Sequence, residues 1–132
     1  MKLEKNKPEY YEFIRKLRNN PLVNDGFIKK QHITKKQQVE YMKTHNKEYY
    51  VCTIKNSPVG YIGIINYDIR IAVSPEHQKK GIGLFMVKRL VKNNKKAYAK
   101  IKVNNTSSKK LFEKAGFKLK YYVYEQEAQE WK

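Results

Sequence analysis

Cysteine is almost missing: Cys52 stands alone, which excludes an internal disulfide and fits a reducing compartment. Acidic residues are scarce too, 12 against 29 basic ones, for a net charge of +17. Arginine is scarcer still, with Arg15, Arg18, Arg70 and Arg89 only; the remaining positive charge is lysine. Proteins that read nucleic acid lean on arginine's forked donors, so a lysine-rich surface argues against that partner. The same field attracts an anionic ligand such as a nucleotide, although a composition rich in Lys, Asn, Tyr and Ile accounts for the charge equally well. No run approaches the roughly 20 apolar residues of a membrane span. Met1-Lys2-Leu3-Glu4-Lys5 lacks the apolar segment of a signal peptide. The expectation is one domain over residues 1–132, cytoplasmic, monomeric or homodimeric. His32 and His77 are lone histidines and read as surface or loop residues, and no metal site is expected.

The apolar pattern orders the elements. Residues 2–5 read as a short strand, and Pro8 precedes a helix over 9–18 with Tyr10, Phe13, Ile14 and Leu17 on one face. Asn19-Asn20-Pro21 stops it, and 22–33 reads as an irregular loop around Asp25-Gly26. Thr34 and Gln37 form a capping box for a second helix reaching about Asn46, with a weak face of Val39, Met42 and His45. Strands at 49–54, 59–65 and 68–73, the first two parted by Asn56-Ser57-Pro58, make an antiparallel meander. Residues 81–91 form a central helix whose stripe of Ile82, Phe85, Met86 and Leu90 implies burial on a sheet. A strand at 97–103, a helix over 107–115 closed by Gly116, and a last strand at 117–124 complete an α/β layered chain with about four helices.

Chemistry concentrates where the third meander strand ends. Val73-Ser74-Pro75-Glu76-His77-Gln78-Lys79-Lys80-Gly81-Ile82-Gly83-Leu84 is a short turn opening the central helix. Such a turn aims several backbone N–H groups at one spot, and the helix dipole adds about half a positive charge there. That combination suits a pyrophosphate. Gly81 and Gly83 omit Cβ atoms where a ligand and the backbone would approach closely.

A second segment follows the next strand: Asn105-Thr106-Ser107-Ser108-Lys109-Lys110-Leu111-Phe112-Glu113-Lys114-Ala115-Gly116-Phe117. The two segments, in this order and spacing, resemble the GNAT superfamily of acetyl-CoA-dependent N-acetyltransferases. The first is similar to its V-x-P-x-x-Q/R-x-x-G-x-G/A signature and the second to its N-x-x-[AS]-x-x-[LF]-[YF]-x-x-x-G-F segment. The resemblance implies a GNAT-like mixed, mainly antiparallel sheet with a V-shaped splay between central strands. The pantetheine arm of acetyl-CoA would lie in that splay along Ile71, Ala72 and Val73, with the Ile71 N–H facing the thioester carbonyl. The amides of Gln78, Lys79, Lys80, Gly81, Ile82, Gly83 and Leu84 would hold the pyrophosphate, and Asn105, Ser108 and Phe112 would contact the cofactor from the other side. Plainer roles remain open: Asn105 as a helix cap, the lysines as solvated residues.

Two positions depart from the family pattern. Phe112 stands where many members carry a proton-donating tyrosine, so another group supplies the proton or the thiolate leaves unprotonated. Tyr121, Tyr122 and Tyr124 are alternative donors. Lys100 stands where ribosomal-protein acetyltransferases carry a glutamate, which counts against a protein N-terminus as acceptor. Asp68, beside Tyr67, is the first candidate base, with a turn-capping role as its alternative; His45 and Glu48 come second. Cys52, mid-strand, reads as core, so direct transfer in a ternary complex is expected. Residues 16–23 resemble the W-R-N-x-P-x-V opening of the branch that acetylates ribosomal proteins and nucleotide-linked amino sugars, with Leu17 for the Trp. Asp25, Phe27 and His32 in the following loop would then touch a small-molecule amine, an amino sugar first. A protein acetyltransferase and a non-catalytic acyl-CoA- or nucleic-acid-binding module are the alternatives.

Overall fold

The scaffold is set by two tight turns. In the computed structural model, which describes residues 1–28 and 31–127, Lys55-Asn56 and Asn66-Tyr67 all have positive φ, between 51° and 68°. Paired positive φ is the type I′ geometry whose twist matches that of the strands it joins. The turns link β2 (Tyr49–Ile54), β3 (Ser57–Ile65) and β4 (Asp68–Val73), and β1 (Lys2–Lys5) pairs with β2. The sheet is antiparallel in the order β1-β2-β3-β4. The turn expected at 56–58 closes earlier, and Pro58 enters β3 opposite Thr53, where a register shift between Cys52 and Thr53 relieves the ladder.

Strand alternation gives the sheet two apolar faces. Tyr49, Val51, Tyr61 and Ala72 pack under α1 (Tyr11–Asn19), α2 (Pro21–Asn24) and α3 (Lys35–His45), meeting Ile14, Leu17, Val23 and Met42. Cys52, Val59, Ile62 and Ile69 face the other way, onto α4 (Ile82–Val91) and α5 (Thr106–Lys114). Among the described residues five α-helices cover both faces where about four were expected. The additional one, α2, lies in the expected loop: the Asn20 side chain accepts from the Leu22 N–H at 3.0 Å and Pro21 occupies the first helical position. The Thr34–Gln37 capping box opens α3 as expected. Its buried face differs, because Gln38 is buried and Val39 is 45 % exposed. Gln38 fits because its Nε2 donates to the Tyr11 carbonyl at 3.0 Å.

The two later strands do not form ladders. Residues 97–103 meet the sheet at one parallel bridge, Asp68 with Tyr98. Residues 117–124 pair with nothing in the described sheet, and Leu119, Tyr121, Tyr122, Val123 and Tyr124 are exposed. Their β-branched and aromatic composition favours extended backbone, but a ladder also needs a neighbouring edge in register. The end of the chain from 128 to 132, expected to fray, lies outside the described residues.

Candidate active site

The edge of β4 opens just past that bridge. Ile69 donates its N–H to the Tyr98 carbonyl at 2.9 Å, and Tyr98 donates to the Tyr67 carbonyl at 2.8 Å. Ser74 donates the opposite way, to Val59 on β3, at 2.8 Å. Alternation therefore turns the N–H and C=O groups of Ile71 and Val73 to the same side as those of Ile69, where 97–103 no longer pairs with the strand. Two chain segments thus touch at one end of β4 and part beyond it. The Val73 carbonyl accepts from Gln78 Nε2 at 3.3 Å. Ala72 points its side chain into the core on the opposite face from Ile71.

At the open end the chain turns through a 3-10 segment, Pro75–His77, and enters α4. Lys79 (φ 64°) and Gly81 (φ 79°) are left-handed, and Gln78, Lys79, Lys80 and Gly81 are exposed. Alternating handedness gathers backbone N–H groups into an anion-binding concavity. The first α4 bond shown runs from the Phe85 N–H to the Gly81 carbonyl, so the amides of Ile82, Gly83 and Leu84 have no helical partner. A Cβ on Gly81 would meet no protein atom within 4 Å, so the left-handed φ is what demands glycine there. A Cβ on Gly83 would lie 3.2 Å from Leu111, so that glycine lets α5 close on α4.

On α5, the Asn105 side chain accepts from the Ser108 N–H at 3.2 Å and caps the helix. Phe112 is buried, its ring edge-on to Phe117 at 5.1 Å. The ring therefore belongs to the core beneath α4, while Ser108 and Lys109 on the preceding turn keep exposed surface. The α2 loop lies close by: Lys102 Nζ donates to the Asp25 carbonyl at 2.9 Å, and Asn105 Nδ2 is 3.2 Å from the place of a Cβ on Gly26.

On the α1–α3 face, a cleft of about 550 Å³ runs between those helices and β4, lined by Arg18, His32, Gln38, Tyr41 and Arg70 among others. A shallower one of about 300 Å³, sharing His32 and including Asp25, adjoins the α2 loop. Of the expected acceptor contacts, Asp25 and His32 line these clefts, whereas Phe27 packs against the helical core. Asp68 accepts from Arg70 Nε at 3.2 Å, and Tyr67 is half exposed in the turn. His45 lies 3.3 Å from Glu48 and stacks on Tyr41 at 4.5 Å between centroids. Tyr41 shares a hydrogen bond of 2.8 Å with the Tyr49 hydroxyl, whose pKa burial pushes far up. Burial also raises the Cys52 thiol, which is fully enclosed. Sequence reasoning missed Arg70, Tyr41 and Gln38 as wall residues. The available signal was the rarity of arginine, since Arg18 and Arg70 are half of the chain's supply.

Among the described residues no helix is long and apolar enough to cross a membrane, and no three His, Cys, Asp or Glu side chains gather as metal ligands would. No curated protein matches the chain by sequence. Solved structures do match in fold. Spermidine N-acetyltransferase from Vibrio cholerae, in complex with CoA and spermine, has a TM-score of 0.81 at 20% identity over 95% of this chain and 85% of that one. An N-acetyltransferase from Staphylococcus aureus Mu50 gives 0.77 at 23% identity over 89% and 82%. The ribosomal-protein-alanine N-acetyltransferase of Brucella melitensis gives 0.76 at 15% over 89% and 85%. The family model described as the acetyltransferase (GNAT) domain matches residues 45–119, more than half of the sequence, including β2 to α5 and both motif segments. The chain belongs to the GNAT acetyltransferase family, an acyltransferase with acetyl-CoA as its co-substrate.

Proposed function

We propose that this protein moves the acetyl group of acetyl-CoA to the primary amine of a small molecule, an amino sugar first and its nucleotide-linked form included, by direct attack in a ternary complex. One observation carries the reading: the edge of Ile71 and Val73, which no strand pairs, ends at the exposed turn 78–81 and the helix-opening amides of 82–84. Acetyl-CoA supplies an activated thioester; the protein's part is to hold and polarise it. The amides of 78–84 suit a diphosphate, and the Ile71 and Val73 backbone suits a pantetheine amide. An N–H of Ile71 facing the thioester oxygen would stabilise the negative charge that gathers there during attack.

Asp68 on β4, steadied by Arg70, is the residue we assign to accept the amine's proton, directly or through water. Phe112 offers none for the leaving thiolate, whose pKa near 8.5 makes unassisted departure affordable. Burial of Cys52 supports direct transfer over an acyl-enzyme. A cleft of about 550 Å³ is in the range of small-molecule sites. The reading includes a cytoplasmic setting, in keeping with the lone reduced thiol.

Thiol release from acetyl-CoA, measured across simple amines, amino sugars, sugar nucleotides and peptides, tests it. Turnover with a small amine is the expected outcome. Turnover confined to peptides would replace the acceptor with protein, and tight acetyl-CoA binding without turnover on any amine would leave a binding module.

A further inference from the structure

The cleft beside β4 has an unusual wall. Four of the chain's basic residues are arginine, yet two of these, Arg18 and Arg70, line this one cleft, and no lysine joins them among the described residues. They come from α1 and β4, far apart in sequence, so nothing local obliges the pairing. Arg18 lies over the Tyr41 ring at 5.6 Å and has no carboxylate partner among the described residues. Arg70 is held at Nε by Asp68 at 3.2 Å, which leaves its two Nη groups free to donate. No described residue lining the cleft is acidic; its other polar walls are Gln31, Gln37 and Gln38, Tyr41 and His32. Stacking on an aromatic face and anchoring at Nε both fix a guanidinium's plane, and a fixed plane is what bidentate recognition of an oxyanion needs.

We propose that this cleft selects an acceptor amine carrying an oxyanion, a carboxylate or a phosphate, which Arg18 and Arg70 grip from its two sides. The proposal rests on the acetyltransfer reading and sharpens its substrate class. It also separates this protein from acetyltransferases of polyamines. A polycation would meet two guanidinium groups on the wall, with the neighbouring Asp68 carboxylate already engaged by Arg70, inside a protein of net charge +17.

Matched acceptor pairs test it: glucosamine 6-phosphate against glucosamine for the phosphate arm, 4-aminobutyrate against butylamine for the carboxylate arm, and spermidine alone. The expected kcat/KM favours the anionic member of at least one pair by tenfold or more, with spermidine last. In Arg18→Gln, confirmed folded by circular dichroism, that preference shrinks to within about threefold through a rise in acceptor KM; in Arg70→Gln, likewise confirmed folded, it shrinks as far while kcat falls for every acceptor, because Asp68 loses its partner. Preference for the neutral members or for spermidine overturns the proposal and leaves the acetyltransfer reading standing. So does an anionic preference that survives both substitutions. If no acceptor is turned over, the acetyltransfer reading fails, and calorimetric titration of inorganic phosphate and of 4-aminobutyrate into the CoA-loaded protein decides the cleft by itself. Binding lost in Arg18→Gln supports the oxyanion site, and absence of heat with the parent protein overturns it.

Discussion

Gly81 owes its identity to backbone conformation and not to packing by the protein around it. Its φ of 79° ends a stretch in which Lys79 is also left-handed, and the space beside its Cα is open. Alanine fits that space and meets only the backbone cost, about 1–2 kcal/mol for an L-residue in this region. Aspartate meets the same cost and adds a carboxylate where the donors of 78–84 would receive a diphosphate. Calorimetry should therefore show acetyl-CoA affinity at least tenfold weaker for Gly81→Asp than for Gly81→Ala, with similar thermal stability for the two variants. Equal affinities would mean that the diphosphate lies elsewhere. This turn was legible in the sequence because its glycines, its length and the helix after it are all local features. The reason for Gly83 was not: Leu111, its neighbour at 3.2 Å, comes from another helix.

Among the elements, the contact of α4 with the sheet decides how well the β4 edge is held. A Cβ on Gly60 would stand 2.9 Å from the Ala72 carbonyl oxygen and 3.0 Å from Met86 Cε. One neighbour is the backbone of β4 next to Ile71, and the other is the buried stripe of α4. Gly60→Ala should cost about 1–3 kcal/mol in urea unfolding, the usual range for overpacking. It should also raise the KM for acetyl-CoA, because relief of the clash displaces β4. Lost stability with an unchanged KM would detach the edge from cofactor binding. The meander, α1, α3 and α4 were readable from periodicity and caps. The strands expected at 97–103 and 117–124 were not, since pairing depends on the course of a distant edge and β-propensity reports only local fit.

Over the whole molecule, burial of tyrosine sets an alkaline limit. Tyr61 is 2 % exposed, and burial raises its hydroxyl pKa well above the ordinary value near 10. The unfolded chain gives up that proton near pH 10, whereas the folded chain keeps it to higher pH. Above this point the folded state binds more protons, so stability falls as pH rises; below it this contribution is complete. Thermal unfolding followed from about pH 8 to 11 should show a steeper decline for the parent protein than for Tyr61→Phe. Parallel curves would mean that Tyr61 ionises freely in the fold. The comparison between variants removes the opposing effect of lysines losing charge over the same interval, which both proteins share.

The amino-acid order by itself determined the meander, the four longer helices, the donor turn at 78–84, and the family to which both motif segments point. These depend on neighbours within a few positions, where steric and hydrogen-bond preferences act directly. The open edge of Ile71 and Val73 and the meeting of Arg18 with Arg70 were decided only by the tertiary structure. An edge is open or closed according to where another segment runs, and two arginines on separate elements share a cleft only once a helix has packed on its sheet.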